Sequence, residues 1–190
     1  LVNAAGIQGP IGPVIENDVK QWIETVQVNL IGTFICVRAV LPTMIQQGSG
    51  KIINFSGGGA AFPRPYFTAY AASKGAVVHF TESVAEELKK YNIQINAIAP
   101  GAINTNMLDE VIKAGSLAGE IELKKAREQL NQGGTPIEKP VSLAVFLASD
   151  ESDGLSGKLI SAVWDDWRSM SGQVDKIMSS EIYTLRRVVK

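Results

Sequence analysis

Three short apolar runs, Leu1 to Asn3, Lys51 to Ser56 and Ile93 to Ala99, each meet a glycine or proline turn within a few residues, and long segments with helical spacing separate them. Leu1 to Asn3 reads as the tail of a buried strand, Lys51 to Ser56, β-branched and bounded by glycines, as a strand covered on both faces, and Ile93 to Ala99 as the next strand. Strands alternating with helices require right-handed crossovers, which give a parallel sheet with helices on both sides. The fold class is therefore α/β, a doubly wound parallel sheet. In that class ligands bind beyond the carboxyl ends of the strands. Those ends here carry Asn3 to Gly6, Ser56 to Gly59 and Pro100 to Thr105.

Between the runs, Asn17 or Asp18 can cap a helix whose apolar positions are Trp22, Val26, Leu30, Phe34, Val37 and Leu41. The spacing predicts one long helix, or two joined near Gly32, ending before Gly50. Gly57 to Phe67 reads as a loop, since three glycines followed by Pro63 and Pro65 sustain neither helix nor strand. A helix from Ala69 to Tyr91 follows, with Ala69, Ala72, Ala76, Phe80, Val84 and Leu88 near one stripe. Residues 102–135 are polar, partly helical and interrupted by glycines, as expected of a lid or binding loop. A helix at Ser142 to Ser149 and a strand at Lys158 to Val163 complete a domain over residues 1–163. Val174, Ile177, Met178, Ile182 and Leu185 predict a helical tail within residues 164–190.

The chemistry concentrates in Tyr70-Ala71-Ala72-Ser73-Lys74. On a helix the phenol and the ammonium lie on one face, one turn apart. A phenol with an ordinary pKa of about 10 is a poor acid or base near neutrality, and a neighbouring cation lowers it toward the working pH. Tyr70 is thus a candidate acid-base residue with Lys74 as its cation.

In chain order, Asn3-Ala4-Ala5-Gly6, Asn29 in Val28-Asn29-Leu30, the pair Tyr70 and Lys74, and Pro100-Gly101 with Ile103 and Thr105 resemble the motifs of the short-chain dehydrogenase/reductase family. The resemblance covers nearly all of residues 1–162. It implies a Rossmann-like fold, NAD or NADP as cofactor, and interconversion of a secondary alcohol and a ketone. It further implies Tyr70, Lys74 and Asn29 as the catalytic group, Asn29 holding a water of a proton relay. Asn3, Ala4, Gly6, Tyr70, Lys74, Pro100, Gly101, Ile103 and Thr105 would line the cofactor. The family's serine, thirteen residues before the tyrosine, is Gly57 here, which leaves Ser56 and Gly57 as the substrate-side candidates. The glycine-rich dinucleotide fingerprint belongs to the first βαβ unit, which is missing from these residues, so an upstream portion is expected. A homodimer or homotetramer, built on the helices at Trp22 to Ile45 and Ala69 to Tyr91, is also implied. The alternative is a non-catalytic relative serving as a binding or assembly module, which Gly57 favours.

Composition narrows the partners. A net charge of -1 and no basic run leave no footprint for nucleic acid or an anionic membrane. No apolar run reaches the roughly 18 residues of a spanning helix, so neither membrane nor secretion is expected and a cytoplasmic setting fits. Cys36, the single cysteine, is expected to be a small buried hydrophobe. His79 has no cluster around it at metal-ligand spacing, so no metal site is predicted. Arg64 reads as a solvated loop arginine, and Trp164 and Trp167 as aromatics packed on the tail.

Overall fold

Side chains alternate across β2 (Gly50–Phe55), so that Ile52 and Ile53, both 1% exposed, enter opposite layers of the core. The computed structural model describes residues 1–187. β2 is central: it pairs in parallel with β1 (Val2–Asn3) and with β3 (Ile93–Ala99), and β3 pairs with β4 (Leu159–Ser161). The order is β1-β2-β3-β4, all parallel, with helices on both faces. On one face Ile52, Ile93 and Ile95 pack with Val37, Val84 and Leu88 from two helices; on the other Ile53, Ile98 and Ile160 pack with Leu143, Phe146 and Leu147. This is the doubly wound α/β arrangement that the strand pattern requires.

α1 (Val19–Val26) is capped by Asp18, whose carboxylate accepts from Gln21 N at 2.8 Å. It runs through a single π-turn, Gln27–Ile31, into α2 (Gly32–Gln47), so the long helix is continuous and the irregularity precedes Gly32. α3 (Thr68–Leu88) carries Tyr70 and Lys74. The connection after β3 folds as α4 (Asn106–Ala114) and α5 (Glu120–Gln132), joined by a short turn of 3-10 helix. α6 is Glu138–Ala148, and α7 is Val174–Met178.

Five expectations need correction. Cys36 is exposed, because it lies on the open face of α2 beside Phe34 and Ile35. An apolar stretch does reach membrane length: Val19–Gln47 is 29 residues of helix, long and apolar enough to cross a membrane, although Thr25, Asn29, Thr33 and Val37 along it are buried in the domain. Trp164 is 86% exposed, while Trp167 joins the core against Phe146. β4 is three residues long, shorter than the apolar run predicts. The tail helix stops at Met178, and Ile182 and Leu185 lie outside it. The open edge of β4 outcompetes the helix there: Leu159 N donates to Tyr183 O at 2.8 Å, and Lys158 Nζ to the Ser180 and Ile182 carbonyls. The end of the predicted tail, residues 188–190, lies outside the described residues.

Candidate active site

Tyr70 and Lys74 lie one turn apart on α3 and are 8% and 3% exposed. Lys74 Nζ donates to the carbonyl of Phe55, the last residue of β2, at 2.8 Å and stands 5.8 Å from the Tyr70 ring centroid. Asn29 sits in the π-turn, whose extra residue re-aims side chains at that point of the helix. Its Oδ1 accepts from Ile7 N at 2.9 Å, and its Nδ2 donates to Ile7 O at 3.0 Å and to Ser73 Oγ at 2.9 Å. Ser73 Oγ donates in turn to Tyr70 O at 2.8 Å. Asn29 therefore ties the segment after β1 to the Tyr70–Lys74 turn of α3. Gly6 lets that segment approach closely, for a Cβ there would stand 3.2 Å from Asn29 Oδ1 and 3.3 Å from Lys74 Nζ. Asn3 acts inside the sheet, its Nδ2 donating to Asn54 Oδ1 at 2.9 Å, and Ala4 is exposed beside it.

The remaining candidates divide. Ser56 is 3% exposed and its hydroxyl donates to Lys74 O at 3.2 Å, so it bonds the backbone of α3. Gly57 faces Tyr70: a Cβ there would lie 2.4 Å from the phenol oxygen, which occupies the space a serine side chain would need. Gly101, at φ 89°, packs beneath Val163 and Thr135, and Thr135 N donates to Ala102 O at 2.7 Å. Thr105 O accepts from Leu108 N at 2.8 Å at the start of α4. Pro100, Gly101, Ile103 and Thr105 thus form the base from which α4 and α5 rise. Those helices close over Tyr70, because Phe67 and Tyr70 pack with Leu108, Val111, Ala118 and Ala126 in a third apolar cluster.

The electrostatics differ from the sequence expectation. Burial pulls the Lys74 ammonium down to about 8. Burial likewise pushes the Tyr70 phenol up, and the cation that opposes this is Arg64. Lys74 gives one hydrogen to the Phe55 carbonyl and stands as near the Tyr70 ring as Arg64 does, 5.8 Å against 5.7 Å to the centroid, so the phenol has two cations within reach. Nor is Arg64 a solvated loop residue. Its Nε pairs with Glu122 Oε2 at 2.8 Å, its guanidinium lies 4.0 Å over the Phe67 ring, and both members of the ion pair have side chains about one-fifth exposed. No local pattern links Arg64 to Glu122, 58 residues later; their meeting depends on α5 packing against the loop before α3. His79 is exposed, and no metal-binding group is present among the described residues. A cavity of about 690 Å³ lies away from Tyr70, between α3 and the C-terminal segment.

A nicotinamide-ribose group fits this edge of the sheet. One Lys74 hydrogen goes to Phe55 O, and the other two have no acceptor among the described residues, as a diol-binding ammonium requires. Gly6 leaves open the approach to them.

The model of the short chain dehydrogenase family matches residues 1–115. A 3-oxoacyl-acyl-carrier-protein reductase of Thermotoga maritima is 36% identical over 160 residues, 84% of this chain and 62% of that protein. The 5-keto-D-gluconate 5-reductase of Escherichia coli K12 is 35% identical over 160 residues, 84% of this chain and 61% of that protein. The chain thus spans roughly three fifths of the length of these curated relatives. Among solved structures, NAD+-bound xylitol dehydrogenase superposes with a TM-score of 0.77 at 27% identity, covering 85% of this chain and 66% of that one. Actinorhodin polyketide ketoreductase with NADPH gives 0.75 at 27% identity, covering 85% and 64%. On the family match, the identities and the shared fold, the chain belongs to the short-chain dehydrogenase family.

Proposed function

We propose that the chain supplies the acid-base half of an NAD(P)-dependent oxidoreductase that interconverts a secondary alcohol and a ketone on a small molecule. One observation carries this reading: a buried phenol and a buried ammonium share one helix face at the carboxyl edge of a parallel sheet, and the ammonium keeps two hydrogens for a ligand. Tyr70 gives its proton to the carbonyl oxygen in reduction and takes one from the alcohol in oxidation. Bound nicotinamide would supply or accept the hydride. Lys74 holds the nicotinamide ribose with its two remaining hydrogens. Asn29 positions the turn; both its Nδ2 hydrogens are spent on Ile7 and Ser73, so a relay water would be accepted by Oδ1 alone. Ser56 is bonded to α3, which leaves polarisation of the substrate carbonyl to Tyr70 and the backbone around Gly57.

A second reading, a non-catalytic binding or assembly module, draws on Gly57 and on a relative that is 32% identical and described as an inactive 2-(S)-hydroxypropyl-CoM dehydrogenase 2 of Xanthobacter autotrophicus. The Tyr70→Phe variant separates the two. In the complete polypeptide, assayed with NADH and NADPH against a panel of ketones, kcat/KM is expected to fall by about 10²- to 10⁴-fold, the usual worth of a general acid-base group. Full activity in the Phe variant would remove Tyr70 from the mechanism. Absence of turnover in the wild type across the panel would favour the module.

A further inference from the structure

The loop before α3 is built to hold one side chain in place. Pro63 and Pro65 flank Arg64, and Tyr66 adopts a left-handed φ of 68°, sparsely populated for a bulky residue. That conformation is fixed from both sides. Gly12 N donates to Tyr66 O at 2.9 Å, and the Tyr66 ring lies so close to Gly119 that a Cβ there would stand 2.6 Å from it. Arg64 is thereby laid across Phe67, with its guanidinium 5.7 Å from the Tyr70 ring centroid and its Nε on Glu122 of α5.

We propose that Arg64 is a positioning residue of the acid-base centre: its guanidinium is a second cation set against the Tyr70 phenol beside Lys74, and Glu122, carried by α5, governs how much of that charge the phenol receives. The proposal rests on the reading of Tyr70 as the acid-base residue. Three observations support it. Gly57 leaves no side-chain hydroxyl beside the phenol, and the Tyr70 oxygen fills that space. The Arg64 guanidinium stands 5.7 Å from the Tyr70 ring centroid, as near as the Lys74 ammonium at 5.8 Å. Arg64 lowers the Tyr70 pKa against the effect of burial. The charged groups around the phenol are few. α3 itself contributes Lys74, the loop contributes Arg64, and α5 contributes Glu122, whose other oxygen takes Lys125 at 3.1 Å. α4 packs on this cluster through Leu108 and Val111.

The carboxylate gives the idea a sign. A paired Glu122 offsets part of the guanidinium charge, so removing either partner moves Tyr70 in opposite directions. A merely structural latch would behave otherwise, since breaking it from either side opens the same lid.

The test is a pH titration of the complete polypeptide carrying 13Cζ-labelled tyrosine, with the Tyr70 resonance assigned by its loss in Tyr70→Phe. The Arg64→Met variant is expected to raise the Tyr70 pKa, Glu122→Gln to lower it, and Arg64→Lys, which keeps a cation, to stay between wild type and Arg64→Met. The alkaline limb of kcat/KM should follow in the same directions. Shifts of the same sign in Arg64→Met and Glu122→Gln, or no shift in either, would overturn the proposal. Because the resonance is read without turnover, that failure is distinct from inactivity of the wild type or retained activity of Tyr70→Phe.

Discussion

Lys74 is an ammonium held where little water reaches it, with one carbonyl for a partner. Its folded pKa of about 8, against 10.5 in water, fixes the sign of a pH effect. Between those values the unfolded chain binds the proton that the folded chain has released, so stability rises with pH across that window. Below it the full cost of burying the charge is present. A displacement of this size corresponds to about 3 kcal/mol. The Lys74→Met variant lacks the titration, so the stability of the wild type relative to the variant should increase from about pH 8 to about pH 10, read by urea denaturation at each pH. A difference that stays flat across that window would mean the ammonium is hydrated in solution. At this scale the helical spacing of Tyr70 and Lys74 was legible because four residues suffice to place both on one face. Arg64 and Glu122 were not, since their contact spans 58 residues and is made only where α5 packs on the loop before α3.

The elements were mostly readable from periodicity, and the departures have local causes. The π-turn at Gln27–Ile31 is invisible to a 3.6-residue pattern, yet it aims Asn29 at Ile7 and Ser73. The end of the chain keeps apolar residues at helical spacing, but the unpaired edge of β4 captures its backbone instead. α1 and α2 pose a different question, because their outer face remains apolar: Ile23, Ile31, Phe34 and Ile35 are 49%, 43%, 44% and 57% exposed. Phe34 meets Phe80 of α3 edge-on at 6.3 Å, which makes the two helices one continuous apolar surface. A patch of this kind on a folded chain marks a partner surface. The resemblance to the family and this surface together lead us to propose a homodimer or homotetramer assembled on it. Ile35→Glu would bury a charge at such an interface without touching the core, so light scattering of the complete polypeptide should show a smaller species for the variant than for the wild type. An unchanged mass would place the contact elsewhere.

On the scale of the whole molecule, the described sheet ends at β1, a strand of two residues whose Val2 is 52% exposed, and the chain covers 62% of its Thermotoga relative. The parallel order and the position of Tyr70 at the carboxyl edge followed from the strand pattern, because buried strands alternating with helices leave few other arrangements. Cofactor affinity is a separate matter from the catalytic pair. In doubly wound folds the pyrophosphate rests on the N-terminus of a helix that follows a glycine-rich turn, where free backbone N–H groups and the helix dipole meet it. The helix that carries Tyr70 and Lys74 is α3, and its entry differs. It follows Pro63 and Pro65, and Phe67 at its N-cap lies in an apolar cluster. Thr68 at its first turn is engaged by Trp22 Nε1 and donates to Asn17 Oδ1. What the described residues offer a dinucleotide is therefore the nicotinamide end, chiefly through two hydrogens on Lys74. A pair of hydrogen bonds, each worth about 0.5 to 1.5 kcal/mol net and at most about 3 when charged, falls well short of the roughly 8 kcal/mol behind a micromolar Kd. Calorimetric titration of the 190-residue chain with NAD and NADP should accordingly show no measurable binding. Micromolar affinity would mean that a pyrophosphate site exists within these residues, and Gly57 to Gly59 would be the first place to mutate.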